Sequence, residues 1–172
     1  YESKSTLNFN FDLSSNKQGF NGTGGAVEYG RIIKLSKKFM PFLNFSLGGG
    51  SMSFEPKEGF TNNNQLSREY ENTFYITSGV NLAPWIQLED TFISFPIGIQ
   101  AMYVADQKSK FIDGGSKVRN NPEARFLFGP QVGISMRTMF GLPFSVKYSY
   151  LLSSEEDIDN LGMWSIQWLI PL

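Results

Sequence analysis

Hydrophobic and polar residues alternate along most of this chain. In the stretch ARFLFGPQVGISMR, residues 124–137, the side chains of Phe128, Val132 and Ile134 fall on one side. Gln131 falls on the other side, among small residues. A repeat of two residues is typical of a β-strand, because successive side chains of a strand point to opposite faces. A soluble sandwich turns its apolar face inward and a membrane barrel turns it outward, so one strand leaves both interpretations open.

Eight segments share this alternation, and long and short connections alternate between them. Such a pattern is typical of a transmembrane barrel, which has tight turns at one end and extended loops at the other. The segments are residues 4–13, 23–35, 41–54, 72–83, 91–105, 124–137, 143–152 and 162–172. The connections are residues 14–22, 36–40, 55–71, 84–90, 106–123, 138–142 and 153–161.

The apolar face of these segments carries large side chains, and the other face carries small and polar ones. The interior of an eight-stranded barrel is only wide enough to be filled by side chains, so the large apolar set does not fit inside it. The sequence therefore predicts one all-β domain over residues 1–172. We expect an eight-stranded antiparallel up-and-down transmembrane β-barrel with short periplasmic turns and longer extracellular loops, located in the bacterial outer membrane.

This orientation assigns two sets of residues. The first set is predicted to face lipid: Phe95, Ile97, Ile99, Phe128, Val132, Ile134, Trp164 and Trp168. The second set is predicted to form a polar network in the lumen, because unpaired charges inside a barrel are costly. Its members are Asp12, Glu28, Lys34, Arg125, Gln131 and Lys147.

Two other structures are also consistent with this alternation. A soluble β-barrel calyx would turn the apolar set inward around a lipophilic ligand. A narrow outer-membrane pore would keep the barrel in the membrane but leave a passage through the lumen. Solubility without detergent favours the calyx, and ion conductance in a planar bilayer favours the pore.

Composition narrows the possible functions. The chain has 15 basic and 16 acidic side chains, so its net charge of −1 gives no electrostatic reason to expect a nucleic-acid partner. It contains neither Cys nor His. Histidine is the most frequent general base and the commonest metal ligand, so we expect no enzyme activity and no cofactor. Adjacent carboxylates such as Glu89 and Asp90 do not replace it, because neighbouring residues point to opposite faces on a strand and are usually solvated in a loop.

The acidic segment SSEEDIDNLG resembles a calcium loop in part. Asp157, Asp159 and Gly162 match the first, third and sixth positions of such a loop. Leu161 and Trp168 stand at the fifth and twelfth positions, where oxygen ligands are required. We therefore predict no metal site, with Asp157 and Asp159 as weak candidates for an irregular calcium site.

Two motifs carry a resemblance to a known family. FPIGIQAMYV contains Pro96, and FLFGPQVGI contains Gly129, Pro130 and Gly133. Over roughly residues 85–137 the chain resembles the small outer-membrane β-barrels of Bacteroidota, which include PorT-like barrels associated with type IX secretion and have the OmpX-like eight-stranded form. The resemblance implies an eight-stranded barrel in the outer membrane with no catalytic residues to carry over.

The function expected from the sequence is non-catalytic. The protein is interpreted as a structural or partner-binding subunit of a cell-envelope assembly for secretion or transport. Its expected partners are membrane lipid and other outer-membrane or envelope proteins. Partner binding is expected on the connections 55–71 and 106–123 or on the lipid-facing wall, because long loops on a rigid scaffold commonly carry function.

Overall fold

Antiparallel β-strands make up almost all of the residues that the computed structural model describes. None of the described residues forms a helix long and apolar enough to cross a membrane. The structure describes residues 3–16, 20–35, 41–56, 67–70, 73–89, 91–105, 109–113, 116–120, 125–138, 143–153 and 160–172. The strands are β1 (Ser3–Asn16), β2 (Phe20–Lys34), β3 (Pro41–Pro56), β4 (Ser67–Tyr70), β5 (Thr73–Leu88), β6 (Thr91–Ser94), β7 (Ile97–Val104), β8 (Ser109–Asp113), β9 (Ser116–Asn120), β10 (Arg125–Thr138), β11 (Phe144–Ser153) and β12 (Leu161–Pro171).

The main sheet closes on itself. Its order is β11-β12-β1-β2-β3-β5, followed by β6 and β7 and then β10, which pairs with β11. Both β6 and β7 pair with β5 on one side and with β10 on the other, so they are two halves of one wall strand. The wall therefore has eight strands, and the predicted all-β closed antiparallel barrel is confirmed.

Pro96 causes the interruption between β6 and β7. Proline has no backbone N–H and cannot donate to a ladder hydrogen bond. The neighbouring groups bridge the break: the Gly133 N–H donates to the Pro96 carbonyl at 2.9 Å, and the Phe95 N–H donates to the Pro84 carbonyl at 3.3 Å. The wall therefore stays continuous across the proline.

The two faces of the wall differ as period two requires. Val132 is 50% exposed, whereas its neighbour Gln131 is 5% exposed and points into the lumen. The same outward, exposed placement applies to Phe95, Ile97, Ile99, Phe128, Ile134, Trp164 and Trp168. Because the large apolar side chains lie on the outside of a closed barrel, the calyx alternative is wrong.

Several wall strands are longer than the hydrophobic alternation predicts. The predicted connection 14–22 is wrong, because ladder pairing continues to Ser15 opposite Asn21 and leaves residues 17–19 between the strands. The predicted connection 84–90 is also too long. Leu88 still pairs with Thr91, and Glu89 adopts a positive φ of 50° in the resulting tight turn. Backbone pairing extends a strand whatever its side chains are, so alternation underestimates strand length.

The barrel has two unlike ends. We call the end that carries residues 57–72 and 105–124 the loop end, and the end that carries residues 35–40 and 139–143 the turn end. The two segments at the loop end contain β4, β8 and β9, which pair as a separate antiparallel sheet in the order β4-β8-β9. The hydrophobic alternation assigned these residues only to connections between wall strands. Their strands pair across distant parts of the chain, and one segment alone shows no sign of that pairing.

Spin labels test which face of the wall contacts lipid. The chain has no native cysteine, so Ile97→Cys, Val132→Cys and Ile134→Cys each give a single labelling site. We expect the spin-label spectra at these exposed positions to be broadened by oxygen dissolved in the bilayer. A label on Gln131→Cys should be shielded, because that side chain points into the lumen. The reverse pattern of accessibility would show that the apolar face is not in contact with lipid.

Candidate functional site

The lumen is packed in two layers. The layer towards the loop end is apolar, because inward positions near the ends of the strands carry methionine, leucine and valine. The sequence pattern did not reveal this layer, because the whole inward face was interpreted as small and polar. The sequence feature that could have predicted this layer is the run of large apolar residues at inward positions near the long connections. The members are Ala26, Met52, Tyr75, Met102, Val104, Leu127, Leu151, Leu161 and Met163.

A cluster of amides and hydroxyls crosses the middle of the lumen. The Gln131 amide donates to Gln100 Oε1 and to Ser149 Oγ, both at 2.9 Å. Ser149 also donates to Gln100 Oε1, and the Gln100 amide donates to Thr77 Oγ1 at 2.8 Å. These residues come from β5, β7, β10 and β11, so one network joins four neighbouring strands from the inside.

A second cluster surrounds two buried carboxylates. Asp12 accepts hydrogen bonds from Tyr75 and, at 2.5 Å, from Ser165. The Gln167 amide donates to Glu28 Oε2 at 2.9 Å. Asp12 is 1% exposed and Glu28 is 4% exposed. Buried carboxylates need hydrogen-bond donors or opposite charge, and β5 and β12 supply donors here.

Opposite charges meet at the centre of the lumen. Glu28 and Lys147 line the same small cavity, together with residues of both hydrogen-bonded clusters. The volume of this cavity is about 10 Å³, which is room for about one water molecule. The side chains therefore fill the cross-section of the barrel at this level.

Glycines make room for the two long charged side chains. Glu28 stands opposite Gly48 in the ladder, and Lys147 stands opposite Gly133. A Cβ atom on Gly48 would lie 2.2 Å from the Val27 carbonyl oxygen, and 2.5 and 2.6 Å from Cα and Cγ of Glu28. A Cβ atom on Gly133 would lie 2.6 Å from the Val146 carbonyl oxygen and 2.9 Å from Lys147 Cγ. Both the backbone of the neighbouring strand and the charged side chain thus approach a position that only glycine leaves open.

The structure brings most of the predicted lumen set together. Glu28, Gln131 and Lys147 line one cavity at the middle of the barrel. Asp12 is also buried and accepts a hydrogen bond from Ser165, which lines the same cavity. Lys34 is the last residue of β2, and it lies towards the turn end, away from these clusters.

Three further predicted residues are not placed by the structure. Arg125 is the first residue of β10, and its side chain lies outside the described part of the structure. Asp157 and Asp159 also lie outside the described residues. Among the residues that are described, no group of three or more acidic side chains is arranged to hold a metal ion.

These features define the class of protein. A closed eight-stranded barrel with an apolar outer wall and a polar, filled interior is the fold of the small outer-membrane β-barrels. Solved structures of outer-membrane proteins have the same fold. A major outer membrane protein from Thermus thermophilus has a TM-score of 0.62 at 9% identity, covering 100% of both chains.

Two other solved structures have the same fold. The outer membrane enzyme PagL has a TM-score of 0.55 at 10% identity, covering 96% of this chain and 99% of its own. Ail, the attachment invasion locus protein of Yersinia pestis, has a TM-score of 0.52 at 11% identity, covering 99% and 97%. No protein-family model and no curated protein matches the sequence. At these identities the likeness shows the fold alone.

A double-mutant cycle tests the pairing of Glu28 with Lys147. Lys147→Met leaves a buried carboxylate facing the cavity without its cation, and we expect unfolding free energy to fall by about 2–3 kcal/mol. Glu28→Gln in the same chain should restore part of that loss. Urea unfolding in lipid vesicles measures the unfolding free energy of each single variant and of the double variant. Lys4→Met, at an exposed lysine of β1, is the control. Strictly additive losses would show that the two charges do not interact.

Paired alanine substitutions test the need for glycine. Gly48→Ala places a methyl group against the Val27 carbonyl oxygen and Glu28, and we expect a loss of about 1–3 kcal/mol in the same unfolding assay, as for other overpacked interiors. Gly49→Ala, one residue along the same strand, points outward; its Cβ would meet Tyr75 O at 3.2 Å and should cost less. Equal losses would mean that backbone flexibility, rather than space for Glu28, explains the glycine.

Proposed function

We propose that this protein is an integral barrel of the bacterial outer membrane that neither catalyses a reaction nor conducts ions. The observation that carries the proposal is the filled lumen: two hydrogen-bonded clusters cross the barrel and leave a cavity of about 10 Å³. The exposed apolar residues of the outer wall suit a hydrocarbon environment. The turn end faces the periplasm and the loop end faces the exterior.

The interior chemistry favours a structural role over catalysis. The chain contains no histidine, and its buried carboxylates are held by hydrogen bonds from Tyr75, Ser165 and Gln167. A general base needs access to a substrate, and the cavity beside Glu28 is too small to admit one. PagL is an enzyme with the same fold, but a fold does not carry chemistry without the site.

The function of the barrel is then expected outside the lumen, in binding a partner within a cell-envelope assembly. The sheet β4-β8-β9 supports this proposal. Among the described strands, β4 and β9 each pair with β8 alone, so each has one open edge. Open edges bind a further strand through backbone hydrogen bonds. The register places Glu69, Lys110 and Arg119 opposite one another across this sheet.

We also propose membership of the PorT-like barrels of Bacteroidota. The two motifs that resemble this family meet in the fold, because the Gly133 N–H donates to the Pro96 carbonyl. Gly129 stands opposite Gln100, so the second motif also lies against the lumen network. A secretion or transport assembly of the envelope is the setting that this membership implies.

Conductance in a planar lipid bilayer tests the closed lumen. We expect the purified barrel to insert without opening ion-conducting steps, because the middle of the lumen holds about one water molecule. A porin inserted in the same bilayer is the positive control. Regular conductance steps that scale with the amount of inserted protein would favour the narrow pore instead.

A replacement at the loop end tests partner binding. Replacing residues 109–120 by a Gly/Ser segment of equal length removes β8 and β9 and leaves the wall strands unchanged. We expect the variant to fold, as judged by its heat-dependent migration on a gel. It should lose the proteins that co-purify with the native barrel from detergent-solubilised membranes. If the same proteins are captured by the variant, the sheet is not the binding surface.

A further inference from the structure

A groove crosses the outer wall of the barrel. Its volume is about 380 Å³, and outward-facing side chains of β2, β3, β5, β7 and β10 line most of it. Its lining also includes Ser46, Gly79 and Gln100, which line the lumen cavity on the other side of the wall. The lining is mostly apolar, with Arg31 as its one charged residue. A convex barrel wall has no groove unless neighbouring strands carry small side chains at the same height.

The ladder register explains the groove. Leu47, Ser78, Ala101 and Phe128 stand side by side in one row across four neighbouring strands. Two small residues therefore lie between two large ones, and together they form a notch in the wall. Val80 and Ile99 form the next row towards the turn end. A notch with apolar sides fits a hydrocarbon chain, which gains contact along its length.

Arg31 adds a charge at one end of this groove. It is exposed on the outer face of β2, three residues before that strand ends at Lys34. Three residues span about 10 Å along a strand, so the guanidinium can reach the membrane interface at the turn end. An arginine facing hydrocarbon costs about 2–4 kcal/mol at the midplane and less near the interface. Its guanidinium has five N–H donors, so it can bind an anion in addition to its contact within the protein.

We propose that this groove binds one anionic glycerophospholipid of the periplasmic leaflet. The phosphate accepts hydrogen bonds from the Arg31 guanidinium, and one acyl chain lies in the notch at Ser78 and Ala101. The turn end selects the periplasmic leaflet, because Arg31 lies close to that end. Arginine suits this role, since its planar donors match the oxygens of a phosphate group. The inference rests on the proposed membrane location.

Two substitutions test the two parts of this site. Arg31→Gln removes the charge, and Ala101→Leu fills the notch. Native mass spectrometry of the detergent-solubilised barrel, titrated with phosphatidylglycerol, measures the lipid retained. We expect the native protein to hold one molecule and each variant to bind it about tenfold more weakly, the loss expected for a charge-assisted contact. Arg31→Lys should restore part of the binding.

Two control variants make the same kinds of substitution at positions outside the groove. Arg137→Gln removes an exposed arginine at the same end of the barrel, and Thr23→Leu adds a leucine on the outer wall away from the groove. Both should bind lipid as the native protein does. Heat-dependent gel migration verifies that every variant is folded.

Three results would overturn the proposal. The first is unchanged phosphatidylglycerol binding in both Arg31→Gln and Ala101→Leu. The second is equal retention of phosphatidylcholine and phosphatidylglycerol regardless of Arg31. The third is a dimer that Ala101→Leu dissociates, because a second copy of the chain would then occupy the groove. If labels at Ile97→Cys contact lipid while no lipid is retained, this proposal fails and the membrane location stands.

Discussion

The hydrogen bonds between β10 and β11 join the two ends of the main sheet, and the other features of the barrel depend on this closure. A strand in hydrocarbon has no water to satisfy its N–H and C=O groups, so an open edge is excluded within a membrane. Closure supplies a partner on both sides of every wall strand. It also fixes the circumference at eight strands, which makes the lumen narrow.

A narrow lumen limits which side chains can lie opposite one another. Glu28 and Lys147 reach the centre because Gly48 and Gly133 stand across from them. Where the inward side chains are large and apolar instead, as at Met52, they pack against one another towards the loop end. Each layer of the interior is thus filled by side chains that match its volume. The polar layer also supplies hydrogen bonds to its buried carboxylates.

A filled interior leaves the outside of the barrel for binding. The two surfaces proposed for binding are the groove near Arg31 and the edges of β4 and β9 that no described strand covers. The first suits lipid and the second suits a further strand, so the two proposals concern separate surfaces of one scaffold.

The sequence by itself determined the number of wall strands and which face of the wall each residue lies on. Period two assigned Ile97 to the outside and Gln131 to the inside, because successive side chains of a strand must alternate. Tertiary structure decided which residues become neighbours: Glu28 with Gly48, Ser78 with Ala101, and β4 with β8. These contacts depend on the register between strands far apart in the chain. The alternation along one strand determines which face each residue lies on, but not which residue of the neighbouring strand it pairs with. The contacts of the network, the groove and the second sheet could therefore be seen only in the folded structure.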